Sequence, residues 1–204
     1  MAIHKFIKTK EKKIINVYFI DYENVNVDGL KGVGRLTDED KVIFFYSEKA
    51  SRLSFGLHRR IIQSNANFEY RKVDVGSPNA LDFQLASCVG YELGKDENKK
   101  IEAVIVSKDK GYDSVVNYWT KGGYKISRVD DIASEVQSSK SMKIAEIENL
   151  IGDGNKNYSN DIYEALRERK SKEGVHNYLM KQLHDNKKVT ELYKLIKPLL
   201  ADKS

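Results

Sequence analysis

Cysteine is nearly absent from this 204-residue chain, which has Cys88 alone. A lone thiol has no partner for an intramolecular disulfide, so the disulfide-stapled class is excluded and the reducing cytoplasm is the expected compartment. Only two prolines are present, and no apolar run approaches the ~20 residues that a bilayer crossing needs, so collagen-like and membrane-spanning classes fall away. The start, Met1-Ala2-Ile3-His4-Lys5, leads into charged residues rather than a signal-peptide apolar stretch, and no membrane partner is expected. Histidine is scarce too, at four residues.

What is present suits a globular chain. With 40% hydrophobic residues, twelve tyrosines, seven phenylalanines and one tryptophan, it can bury about 70% of its unfolded surface. The formal charge of +5 is unevenly placed. Residues 1–13 carry five lysines against Glu11, residues 14–140 are near neutral at −1, and residues 141–204 hold +2. A basic arm at 1–13 fits either attraction to nucleic acid or a solubilising terminus.

Short β-branched and aromatic runs at 14–20, 41–46, 67–73, 101–106 and 124–129 predict five strands. Helical patterns at about 52–63, 79–93 and 112–121 lie between them, the last two ending at Gly94 and at Gly122-Gly123, where glycine can supply a left-handed cap. Strands alternating with helices imply right-handed crossovers and a mainly parallel sheet, hence a three-layer α/β/α domain over 14–140. Beyond it, Gly152 to Asn157 reads as a polar loop. Amphipathic segments near 159–170, 175–184 and 188–200 then predict a small helical C-terminal extension over 141–204, able to serve as a homodimer or protein contact.

Ligands of open α/β sheets sit beyond the carboxyl ends of the strands, where strand order reverses. Acids collect there. The first strand runs into Asp21-Tyr22-Glu23-Asn24, and the fourth into Ser107-Lys108-Asp109-Lys110-Gly111-Tyr112-Asp113. Asp82 lies in the first turn of a helix capped by Ser77 or Asn79, a position that also suits a dipole-compensating acid. Asp109 and Asp113, four apart, share a face if a helix starts near Lys108. If Asp21, Asp82, Asp109 and Asp113 converge, each pair at 4 Å repels by roughly 4 kcal/mol at an effective dielectric near 20, which calls for a cation or for protonation. An all-oxygen donor set suits Mg²⁺ or Mn²⁺. No histidine lies in these segments, which leaves metal-activated water as the chemistry expected.

The ordered set Phe19-Ile20-Asp21-Tyr22-Glu23-Asn24-Val25, Asn79-Ala80-Leu81-Asp82-Phe83-Gln84-Leu85 and Val106 to Asp113, followed by Gly122-Gly123 and a last strand, resembles the PIN-domain-like nucleases, nearest to their NYN and related bacterial branch. The resemblance covers about 14–137. It implies a metal-dependent endoribonuclease cutting single-stranded or structured RNA to leave 5′-phosphate and 3′-hydroxyl ends. It makes Asp21, Asp82, Asp109 and Asp113 the catalytic, metal-binding acids, with Asn24, Ser107 and Asn79 as polar supports, and puts the first and fourth strands side by side. Glu23 is an acid beyond that pattern, and strand alternation would turn it away from Asp21. Some members of the superfamily act as non-catalytic RNA-binding or protein-interaction modules, the alternative function.

Two rivals are weaker. Gly29, Gly32 and Gly34 give part of a dinucleotide-binding fingerprint, but Thr37 stands where its third glycine belongs. Glu23, two residues after Asp21, leaves a phosphate-transferring aspartate enzyme open. In the tail, the Arg169/His176 spacing resembles a metal-independent ribonuclease class, although Gly174 interrupts it. For RNA contact, the stretch 52–72 offers Arg52, Arg59, Arg60, Arg71 and Lys72, with Phe55, His58 and Tyr70 able to stack; a solvated helix face explains the arginines equally well. Tyr112 and Trp119 are expected as core or rim aromatics.

Overall fold

A computed structural model describes residues 14–74, 76–201 and 203; the expected basic arm at 1–13 lies outside the described residues. The chain divides into two compact units, one up to Val136 and one from Gln137.

The first unit is built on five strands, β1 (Asn16–Asp21), β2 (Asp40–Tyr46), β3 (Asn67–Lys72), β4 (Glu102–Val106) and β5 (Lys125–Val129). They pair in the order β3-β2-β1-β4-β5, every pair parallel. Strands β1, β2 and β4 are buried almost throughout, as near-continuous apolar runs in a parallel sheet must be. Side-chain alternation splits the core in two. Tyr18, Ile20, Val42, Phe44, Val104 and Val106 face one side, with α2 (Phe55–Gln63) and the start of α5 (Ile132–Ile151) packed on them through Leu57, Ile61 and Ile132. Val17, Phe19, Ile43, Phe45, Ala103 and Ile105 face the other, covered by α3 (Ala80–Lys95) and α4 (Asp113–Lys121) through Leu85, Val89, Leu93, Val115 and Val116. The result is three layers, α/β/α.

Several local expectations are revised. The short α1 (Tyr22–Val25) follows β1 without a break. Gly94 does not cap α3, which continues to Lys95 and ends on Asp96; Gly123, at φ +79, supplies the left-handed residue after α4. Asn79 takes the N-cap position of α3 in the left-handed region, φ 61, and its side chain makes no capping bond; its carbonyl accepts from Phe83 N at 3.0 Å. The 153–158 stretch is a 3₁₀ helix rather than a loop, and α5 runs through position 141, where an extension was expected to begin.

In the second unit, α6 (Ser159–Glu168), α7 (Lys172–Leu183) and α8 (Asn186–Leu195) bury Ile162, Val175, Leu179, Leu192 and Ile196 with Ile147 and Ile151 of α5. Ser171 and Asp185 cap α7 and α8, accepting from Gly174 N at 3.0 Å and Lys188 N at 2.9 Å. Arg169 and His176 each have a separate aromatic neighbour, Tyr178 at 5.2 Å and Tyr193 at 5.2 Å, so their spacing reflects packing. Among the described residues no helix is long and apolar enough to cross a membrane.

Of the glycines that hinted at a phosphate loop, Gly29 and Gly32 sit against close neighbours and Gly34 does not. Gly32 sits at φ +91, and a Cβ there would lie 2.8 Å from the Ala133 Cα. Gly34 has open space around it. Gly32→Ala should therefore cost about 1–3 kcal/mol in chemical denaturation, whereas Gly34→Ala stays within about 0.5 kcal/mol. Equal stability of the two variants would contradict this packing.

Candidate acidic site at the carboxyl edge

Strand order reverses between β1 and β4, and Asp21 ends the first of these strands while Asp109 and Asp113 follow the second. Asp21 ends β1 and caps α1, its Oδ1 accepting from Asn24 N at 3.3 Å. Although it is charged at neutral pH in water, it is only 4% exposed. Ser107, fully buried after β4, donates from Oγ to Asp21 Oδ2 at 2.9 Å and accepts from Asp109 N at 3.1 Å. Asn24 closes the same seam, its Oδ1 accepting from Lys108 N at 2.9 Å. Asn24 and Ser107 thus join the ends of two adjacent strands. Asn79 makes no such bond.

Asp82, in the first turn of α3, accepts from the Tyr112 hydroxyl at 2.8 Å. Tyr112 is 3% exposed, and its phenol is pushed far up, first by burial and then by the charge of Asp21, its bond to Asp82 and the charges of Asp82 and Asp109. It therefore stays a donor. Of the four acids, Asp82 bonds this hydroxyl, and Asp21 and Asp109 act on it through their charge.

Asp109 caps a 3₁₀ turn, its Oδ1 accepting from Gly111 N at 2.7 Å, and α4 begins only at Asp113. The condition for Asp109 and Asp113 to share one helix face, a helix starting near Lys108, is not met: a 3₁₀ turn over Lys110–Tyr112 stands between them, and α4 matches the helix expected at about 112–121. Asp113 has a cation of its own: Arg128 Nε, on β5, lies 2.6 Å from its Oδ1, and Arg128 also donates to the Ser107 carbonyl at 2.9 Å. The Asp113 carboxylate is thus engaged by a cation, one that also pairs with Asp130 at 3.4 Å. Glu23, expected to turn away, is close enough for its charge to raise the Asp21 pKa, and it accepts from the buried Ser47 hydroxyl. Arg128 and Ser47 lie outside the motifs, and Tyr112, within one, is expected from sequence only as a core or rim aromatic; its partner Asp82 lies 30 residues away in sequence.

Among the described residues, no three His, Cys, Asp or Glu side chains form a ready metal-holding group. Nor does any lysine or arginine there pair with Asp21, Asp82 or Asp109. The consequence falls on Asp21. Burial raises its pKa to about 6; the Ser107 and Asn24 bonds oppose this, and the charges of Asp82 and Glu23 add to it.

The basic residues of 52–72 do not form one patch. Arg71 and Lys72 are neighbours in β3 and point to opposite sides of the sheet. Lys72 pairs with Glu48, and Arg71 with Glu69 at 3.3 Å. Arg52 is exposed, and Arg59 and Arg60 lie on α2.

Because Asp21 ionises less readily folded than unfolded, its penalty is absent below about pH 4, where both states are protonated, and complete above about pH 6. In chelated buffer, Asp21→Asn should stabilise the chain by on the order of 2 kcal/mol near pH 7.5, and the gain should vanish near pH 4. A variant weaker than wild type at both pH values would contradict this origin of the shift.

No curated protein sequence and no solved structure matches the chain. A family model described as PIN domain matches residues 15–129, from the start of β1 to the end of β5. That span is more than half of the chain and contains Asp21, Glu23, Asp82, Asp109 and Asp113, and the chain belongs to the PIN domain family, a fold of nuclease type.

Proposed function

We propose that the protein is a divalent-metal-dependent endoribonuclease of the NYN and related bacterial branch, with Asp21, Asp82 and Asp109 as its metal-binding and catalytic acids. The observation that carries this reading is a buried aspartate, Asp21, at the strand-order reversal, with acid neighbours and no paired cation. A structural carboxylate in that position would be expected to have a cationic partner or a full set of hydrogen bonds. The donors are carboxylate, hydroxyl and amide oxygens, a set that fits Mg²⁺ or Mn²⁺. When bound, such an ion supplies positive charge against a phosphodiester and lowers the pKa of water.

The chain's own residues prepare the acids. Ser107 and Asn24 hold Asp21 and the β4 loop in register. Tyr112, kept protonated, fixes one oxygen of Asp82 and leaves the other free. Arg128 ties Asp113 to the Ser107 carbonyl, so Asp113 acts as a positioning residue in this reading, a change from its expected role as ligand. Arg52, Arg59 and Arg60 remain candidates for the RNA backbone. A second reading, a non-catalytic RNA-binding module, draws support from the engaged Asp113 and from the absence of a three-acid group among the described residues.

Labelled single-stranded RNA should be cut with Mn²⁺, leaving 5′-phosphate and 3′-hydroxyl ends, and EDTA should stop the cleavage. Asp21→Asn and Asp109→Asn should each lower the rate by about 100-fold or more, and Asp113→Asn by less. If the EDTA and Asp21→Asn lanes match wild type, the metal reading is wrong; binding without cleavage favours the module.

A further inference from the structure

Beside the acids, on the same face of the sheet, lies an open cavity of about 400 Å³ that the acid site does not use. Its lining includes Phe45, Arg71, Phe83, Gln84, Ser87 and Tyr91. Two of these are conspicuous for their exposure: Phe83 at 68% and Tyr91 at 60%, large aromatic surfaces left in water. They are eight residues apart on α3, with Ser87 midway, so they share one helix face.

Register links this cavity to the acids. Asp21 pairs with Phe45, and Phe45 pairs with Arg71, so the three form one row across β1, β2 and β3 with side chains on one face. At the usual strand spacing Arg71 stands roughly 10 Å from Asp21 along that row. From α3 the connection is shorter still, since Asp82 and Phe83 are consecutive.

The chemistry of the lining is mixed in a specific way. Two exposed rings offer π faces, Gln84 and Ser87 offer hydrogen bonds, and Arg71 offers a planar cation half exposed to water. Glu69, the partner of Arg71 at 3.3 Å, is held more closely by Lys41 at 2.9 Å. Arg71 can therefore leave Glu69 for an incoming anion without stranding that carboxylate. Lys95 Nζ sits 3.8 Å from the Tyr91 ring centroid and adds positive charge at the far end. A purely apolar partner would leave the amide, hydroxyl and guanidinium unanswered, and a bare anion would leave the rings idle. A nucleobase with its attached phosphate answers all of them.

We propose that this cavity is a nucleotide subsite, in which a base of single-stranded RNA next to the reacting phosphodiester stacks on Phe83 and Tyr91 while Arg71 takes its phosphate. The assignment rests on the RNA reading of the acid site and extends it to the substrate's position. The subsite makes binding depend on the base and gives the strand a direction, from the acids along α3.

The test is fluorescence anisotropy with the full chain in EDTA, so that cleavage plays no part, using a labelled single-stranded RNA and a matched oligonucleotide with abasic sites. Wild type should prefer the base-carrying strand. Phe83→Ala and Tyr91→Ala should each weaken its binding by about 5- to 100-fold, and Phe83→Tyr should restore it, with thermal unfolding unchanged because both side chains are exposed. Equal affinity for the abasic strand, alanine variants that bind like wild type, or no RNA binding at all would each overturn the subsite. If the alanine variants lose binding but wild type with Mn²⁺ leaves the RNA uncut, the subsite stands and the nuclease reading falls. If cleavage proceeds with unchanged KM in both alanine variants, the nuclease reading stands and the subsite falls.

Discussion

A carboxylate driven into the sheet's carboxyl edge organises this domain. Asp21 is the last residue of a strand with parallel neighbours on both sides, and its side chain falls where the chain turns at once into α1. A second buried aspartate provides the contrast. Asp40, at the amino edge of β2, accepts from Asn16 Nδ2, Thr37 N and Thr37 Oγ1, at 2.7, 2.6 and 3.0 Å, and its surroundings complete a structural cap. Asp21 has two bonds and two acid neighbours. The same residue type is thus stabilised at one edge of the sheet and held under electrostatic stress at the other. That contrast at the carboxyl edge is the observation on which the proposed reading of the site rests.

The architecture was legible in sequence because a parallel sheet needs apolar strands and its helices need amphipathic faces, both local patterns. All five strands begin and end within two residues of expectation. What was missed depends on contacts distant in sequence or on weak contrast. Helix α5 has low amphipathicity, with Ser138, Ser139 and Ser141 at its centre, and its ends are anchored by Ile132 and by Ile147 and Ile151, so the pattern blurred where it should have been continuous. Gly94 offered a stop signal, yet Leu93 beside it is fully buried and α3 runs on to Lys95.

The candidate site was legible as a set of acids but not as a geometry. Spacing alone put Asp109 and Asp113 on one helix face; Gly111 N closes onto Asp109 instead, and the helix starts four residues later. The cation that their spacing called for exists, but it is Arg128 of β5, which pairs with Asp113 and, at 3.4 Å, with Asp130. Arg71 and Lys72 are a different kind of miss. The two-residue period of a strand separates them onto opposite faces, so their charges do not add to one patch.

Arg128 also explains why the acids divide as they do. Its guanidinium spans Asp113 and the Ser107 carbonyl, so it neutralises one carboxylate while steadying the residue whose hydroxyl holds Asp21. Had it faced Asp21, that buried charge would have a cation beside it. Because it is spent on the outer acid, Asp21, Asp82 and Asp109 keep their negative potential around a phenol that cannot ionise to relieve it. Cations lie farther along the same face, at Arg71 and Lys95, each already leaning on an acid or a ring. A polyanion approaching this edge would be repelled by the acids alone and attracted by those cations. The arrangement becomes self-consistent for a phosphate strand only when positive charge is added among the acids.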